Sequence, residues 1–520
     1  FGTRTIVPVG QVSYVVGVDT TICFVLPQVY SISPKAGTVG ATVEVKGTGY
    51  AAGDTITIAF GNNATISQTA AEDSGHFTAS LVVDVQPYGT TTVTAAGVGV
   101  AKNTFVIQPA LYSVAPSKGT VGTVLDIKGR GYIAGDSIAI SLGSTPTIQQ
   151  TAADTKGFFA TSFTINVQPY GTTTIKASGS MDTTAENTAF ILPDIYYVSN
   201  TEGTVGANVV IRGNGFAPYE VIKIDIGTWD PYATADENGY FEYTFTVDTQ
   251  TYGTTTIRAT GSNSTTPTEE TFNIQPEVYF VSPMSGTVGT IVRVHGTGYA
   301  ATELITIAFG NNLSIQTTRT DEIGFFNTTF MVDTQVFGTT TIAASGAMAG
   351  SATNTFNIQP EVVSVLPTSG TVGTIVTISG TGYAANDVVG VVFGINPSIQ
   401  TAAANQHGSW TTSFTVDVQR YGTTTIIASG VSNASNSFFI QPEVVSVVPQ
   451  VGTVGTNVTI SGTGYAASDA VNITFGINAT IQTAVASKQG SWTTMFTIDV
   501  QRYGTTTITA SGVSSAGNRF

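Results

Sequence analysis

Charge, cysteine and histidine are all scarce in this sequence. Only 10% of its 520 residues are charged, and 33 acidic against 18 basic residues give a formal net charge of −15. An acidic chain repels phosphate backbones, which excludes nucleic acid as a partner. The single cysteine, Cys23, excludes a disulfide framework within the chain. No apolar run reaches about 18 residues, so no membrane-spanning helix is expected. The three histidines (His76, His295 and His407) share no common position, and no Ser-His-Asp, HExxH or phosphate-loop arrangement is present. The expectation is a non-enzyme with no catalytic residue, no metal site and no cofactor. Apolar residues make up 41% of the chain, enough for real cores.

What the sequence does have is internal repetition. Gly-Thr-Val-Gly begins at Gly37, Gly119, Gly203, Gly286, Gly370 and Gly452. Roughly ten residues later comes a Gly-x-Gly-aromatic turn, from Gly47-Thr48-Gly49-Tyr50 to Gly462 through Tyr465. An aromatic-Gly-Thr motif falls late in each repeat, at Tyr88, Tyr170, Tyr252, Phe337, Tyr421 and Tyr503, and another copy is Phe1-Gly2-Thr3. Between these marks, Val, Ile, Thr and aromatic residues alternate with period two, as in Val458 and Ile460 among Asn457, Thr459 and Ser461. That period predicts half-buried strands, and glycine-bearing turns every 8–12 residues or so predict β-sandwiches. The expected fold is all-β, six tandem immunoglobulin-like sandwiches in a rod. The expected divisions are an N-terminal arm 1–27, then 28–109, 110–193, 194–276, 277–360, 361–442 and 443–520. Junctions such as Phe105 through Pro109 run directly into the next strand. Proline fixes its own φ and extends its predecessor, so each junction is expected to be stiff.

The string Ser31-Ile32-Ser33-Pro34-Lys35-Ala36-Gly37-Thr38-Val39-Gly40, followed by Val43-Glu44-Val45-Lys46-Gly47-Thr48-Gly49-Tyr50, resembles the opening of an IPT/TIG-type immunoglobulin-like domain. The same opening recurs in all six repeats, so the resemblance spans nearly the whole chain. It implies a secreted, extracellular prokaryotic surface protein, and it carries no catalytic residue over. Adhesins, envelope proteins and accessory modules all use such domains.

The two ends depart from the middle. Phe520 aligns with Phe438, so the sixth repeat is expected to lack its final strand. Thr21 through Pro27 resembles the final strand of the second repeat, Asn187 through Pro193, and has no repeat of its own. One strand in surplus and one in deficit predict donor-strand complementation between copies, which resembles the assembly of donor-strand pili and gives an open head-to-tail homopolymer. Thr20, Ile22, Phe24 and Leu26 are the expected donor side chains. Val458, Ile460, Phe496, Ile498, Val500 and Ile508 are the expected acceptor groove. The expected function is that of a filament subunit for surface attachment or cell–cell contact, with an adhesin stalk or a surface-layer protein as alternatives. A rival origin for the arm is the tail of a preceding repeat. Phe1-Gly2-Thr3 aligns with Tyr421-Gly422-Thr423 in its favour; the divergence of Pro8 through Val18 and the arm's extra length stand against it.

Two weaker signals complete the reading. Asn63, Asn312 and Asn478 are glycosylation sequons at one shared position of the repeat, so Asn-linked glycans are expected there. Acidic turns at Asp73, Asp154, Asp236 and Asp321 become Asn405 and Ser487 in the last two repeats. A calcium site would need about six oxygens, so hairpin chemistry is the simpler reading.

Overall fold

The computed structural model describes residues Thr3–Thr5 and Ile22 through Phe520, and every regular element among them is a strand. Six pairs of sheets follow one another along the chain. In the first, Gln28–Ser33, Thr42–Thr48 and Phe77–Val82 form a three-stranded antiparallel sheet. Facing it is a five-stranded sheet in the order Ala36–Thr38, Val100–Gln108, Gly89–Ala96, Thr55–Phe60, Asn63–Ala70. Its one parallel pairing sets Ala36 through Thr38 beside Val106 through Gln108. This is a two-layer immunoglobulin-like sandwich.

Alternation along each strand builds the core. Val43, Val45, Ile56, Ile58, Phe60, Val93, Phe105 and Ile107 are buried, while the residues between them face outward or are only half covered. The aromatic of the Gly-x-Gly-aromatic turn is also core. Tyr50 packs edge-on to Phe77, at 5.3 Å between centroids, and donates its hydroxyl to the Ala95 carbonyl at 2.9 Å. The first glycine of that turn lies under the same ring: a Cβ on Gly47 would run into Phe77.

By contacts the chain forms two compact units. One holds Phe1–Thr201, Asn208–Thr246 and Thr255–Phe272; the other holds Glu202–Ala207, Val247–Thr254 and Asn273–Phe520. The first contains two complete sandwiches and the three-stranded sheet of the third, Asp194–Val198, Asn208–Asn214 and Phe241–Thr246. The second contains the fourth, fifth and sixth sandwiches.

Candidate functional site

The repeated motifs meet at the domain junctions. The backbone N–H of Tyr88 donates to the carbonyl of Tyr132 in the next domain at 2.9 Å. The bond recurs from Tyr170 to Phe216, Tyr252 to Tyr299, Phe337 to Tyr383 and Tyr421 to Tyr465, at 2.9–3.0 Å. The aromatic-Gly-Thr loop of each domain therefore docks on the Gly-x-Gly-aromatic turn of its successor. The second glycine of that turn lets the linking strand pass. Gly131 has φ +75, and a Cβ there would lie 2.5 Å from the Gln108 carbonyl. A further close approach sets the residue before the aromatic on the glycine of the later acidic turn. A Cβ on Gly157 would meet Pro87 Cα at 2.9 Å, and one on Gly490 would meet Arg420 Cα at 2.9 Å. At these points the junction is backbone packed on backbone.

The same contact precedes the first domain. Gly49 has φ +87, and its Cβ position lies 2.6 Å from the Leu26 carbonyl. Upstream, Thr3 pairs with Phe24, Arg4 with Cys23 and Thr5 with Ile22. Counted back from Pro27 and Pro109, this is the register in which Thr90 pairs with Val106, Thr91 with Phe105 and Thr92 with Thr104. The register shifts the expected donor face by one residue. Cys23 and Val25 occupy the positions of buried Phe105 and Ile107, whereas Phe24 and Leu26 occupy those of outward Val106 and Gln108. Leu26 is 70% exposed. Of the expected donor side chains, Leu26 alone is described, and it faces outward; a one-residue slip exchanges the faces of a strand. Thr20 lies outside the described residues, as does the arm from residue 6 to residue 21.

The sixth domain needs a second correction. Most of its final strand is present: Ser515–Arg519 pairs with Thr507–Ser511, and Phe520 and Thr506 exchange backbone hydrogen bonds at 2.8 and 2.9 Å. Phe520 also reaches the core, 5.5 Å from the Phe475 ring. Beyond it is a cavity of about 630 Å³ between the Gln450–Val454 segment and the Tyr503–Thr506 segment. In the fifth domain Phe439 through Gln441 fills the corresponding space, with Phe439 N–H on the Thr368 carbonyl at 3.0 Å and Gln441 N–H on that of Gly370 at 2.8 Å. Of the expected groove, Val458, Ile460 and Ile508 are fully buried, Phe496 and Ile498 nearly so, and only Ile498 lines the cavity. Val500 is 75% exposed in a loop past the strand, so it belongs to no groove. Tyr503 is wholly exposed, unlike its half-buried equivalent Tyr421.

The remaining candidates serve turns. The Asn312 amide donates to Asp333 at 2.8 Å and accepts from Ser314 N–H at 3.1 Å; Asn478 does the same with Asp499 and Thr480 at 2.8 and 3.0 Å. Hydrogen bonds from Gln501 and Asn478 hold the Asp499 carboxyl below the usual carboxylate range. Asn63 accepts from Thr65 N–H. Asn396 makes the identical pair with Asp417 although Pro397 removes its sequon, so the amide has a structural task whether or not a glycan is attached. In the acidic turns, Asp154 accepts the N–H of Lys156 and of Phe158; Asn405 and Ser487 do likewise in their domains. Among the described residues no cluster of three or more metal-binding side chains occurs.

One recurrent group went unread in the sequence. A carboxylate four residues after each Gly-x-Gly aromatic ties two loops together. Asp54 accepts from Val98 N–H, Asp136 from Ser180, Asp387 from Val431 and Asp469 from Val513, all at 2.7–2.8 Å. Buried Glu220 and Glu303 take the role in the third and fourth domains. Its fixed spacing from the aromatic was the available signal.

No protein-family model matches the chain, and no curated protein matches it. Solved structures with likeness include the N-terminal eight immunoglobulin domains of Down syndrome cell adhesion molecule, at 12% identity over 96% of this chain and 73% of that one, with a TM-score of 0.17. Invasin, a bacterial integrin-binding protein, shows 11% identity over 80% and 81%, with a TM-score of 0.26. Immunoglobulin domains 1–5 of Sidekick-1 show 11% identity over 80% and 98%, with a TM-score of 0.16. At such TM-scores these likenesses carry no argument; the fold rests on the strand ladders themselves.

Proposed function

We propose that the chain is a structural array, the stalk of an extracellular prokaryotic surface protein, with no catalytic role. The five-fold recurrence of the docked junction carries this reading. Each junction adds a backbone hydrogen bond and a glycine-mediated close approach to a strand that continues from one sandwich into the next, and three of the five add a second glycine approach, at Gly157, Gly324 and Gly490. The IPT/TIG resemblance supplies the extracellular setting.

A second reading is the donor-strand filament, in which the cavity of the sixth domain would be the acceptor. Its magnitude is smaller than the sequence suggests. In the internal register only Val25 would enter the space beyond Phe520, contributing about 1.5–3 kcal/mol. The incoming strand would exchange ladder bonds with its own Thr3–Thr5 for bonds with the acceptor, with little net change. An association cost of at least ~4 kcal/mol then leaves the exchange marginal. Sedimentation velocity of the full chain separates the two. The stalk reading expects a monomer at all concentrations. Large species that disappear in a Val25→Asp variant would replace it with the filament.

A further inference from the structure

The outer face of the three-stranded sheet changes character along the chain. At the bulge of its first strand stand Tyr30, Tyr112, Tyr196 and Tyr279 in the first four domains, exposed by 50%, 43%, 51% and 50%. The fifth and sixth domains have Val363 and Val445 there. On the middle strand the same four domains carry Lys46, Lys128, Arg212 and His295, and the last two carry Ser379 and Ser461. At the start of the third strand stand His76, Phe158, Tyr240 and Phe325, against Ser409 and Ser491. A ring, a cation or imidazole, and a second ring thus line one face four times, and all three are stripped away twice. The core beneath does not require them, because the fifth and sixth sandwiches close without them.

In the first, third and fourth domains these groups are in contact. In the third domain Arg212 lies 4.8 Å over the Tyr197 ring and pairs with Glu242 at 2.6 Å, to which Tyr240 also donates. In the fourth, His295 sits among Phe280, Phe325 and Tyr279, at 4.6, 5.9 and 6.0 Å between centroids. Tyr30 meets His76 at 6.4 Å, and Arg130 caps Tyr112 at 4.4 Å. Shallow concavities of about 380 and 270 Å³ lie farther along this face in the second and fourth domains, lined by Lys128 and Asp126 in one and by Phe280 and Arg293 in the other.

We propose that these faces, one in each of the first four domains, bind neutral carbohydrate chains. Half-exposed rings offer flat apolar surfaces to the C–H faces of sugar rings, and the groups between them offer donors and acceptors to hydroxyls. In the first and third domains the charge on the face is paired: Lys46 meets Glu44 at 2.7 Å and Arg212 meets Glu242, so on a chain of net charge −15 these two faces hold no unpaired cation for a polyanion. A polyhydroxylated, uncharged ligand is the chemistry that balanced polar pairs between rings complement.

The site is independent of the stalk reading. The test is affinity electrophoresis of the full chain in gels containing mannan, laminarin, xylan or soluble starch. At least one should retard it. A variant with Tyr30→Val, Tyr112→Val, Tyr196→Val and Tyr279→Val copies the residue that the last two domains carry, and retardation should fall by ~10-fold or more. A second variant, Lys46→Ser with Arg212→Ser, copies their serines and should weaken binding while the rings remain. Loss of retardation in either folded variant supports the site. Retardation by none of the four polymers, retardation of both variants equal to that of the unaltered chain, or retardation only in a fifth gel containing heparin would overturn it.

Discussion

At the residue scale the turn tyrosines set a pH limit. Burial pushes the Tyr50, Tyr383 and Tyr465 hydroxyls up to about 12, and raises Tyr132 and Tyr299 as well. The fold therefore favours the neutral phenol, while the unfolded chain ionises near pH 10. Their stabilisation is complete below about pH 10 and is lost as pH rises from there through about 12. Tyr465→Phe removes the hydrogen bond to Ala510 at 3.1 Å, and should cost about 1 kcal/mol at neutral pH. It should also raise the alkaline unfolding midpoint of the sixth domain, as measured by circular dichroism against pH. The third domain already carries Phe216 in this place, so this position contributes nothing to its alkaline loss.

Elements were the most legible level of the sequence. Period-two alternation marked the strands because one face of each is buried, and Gly-x-Gly marked a turn; that its first glycine lies where no side chain fits beneath Phe77 emerges only in the structure. What the sequence left hidden is register. Ile22, Phe24 and Leu26 are the larger residues of their segment and so suggested the inward face. Pairing with Thr3–Thr5 and the distance to Pro27 set the register instead, and Leu26 comes out exposed. Val500 misled for a related reason: it continues the alternation of Phe496 and Ile498 after the strand has ended at Thr497. The carboxylate pins at Asp54 and its equivalents escaped because each is a lone acid whose partner is a backbone N–H about 44 residues away. The glycine contacts at the junction give a direct prediction. Gly490→Val forces a side chain against Arg420 and a β-branched residue into φ +81. Limited proteolysis should then cut between the fifth and sixth domains, where the unaltered chain resists. Equal resistance would show that the junction tolerates separation.

At the scale of the whole molecule, the account depends on the docked junction as the unit that turns separate sandwiches into one array. Each junction has a reporter, the N–H of the aromatic in the aromatic-Gly-Thr motif, and the sixth copy of that motif supplies an internal control. The most direct measurement is hydrogen–deuterium exchange at these six amides in the full chain. The account predicts slow exchange at Tyr88, Tyr170, Tyr252, Phe337 and Tyr421, whose N–H groups are bonded to the next domain, and fast exchange at exposed Tyr503. Exchange at the five as fast as at Tyr503 would contradict it.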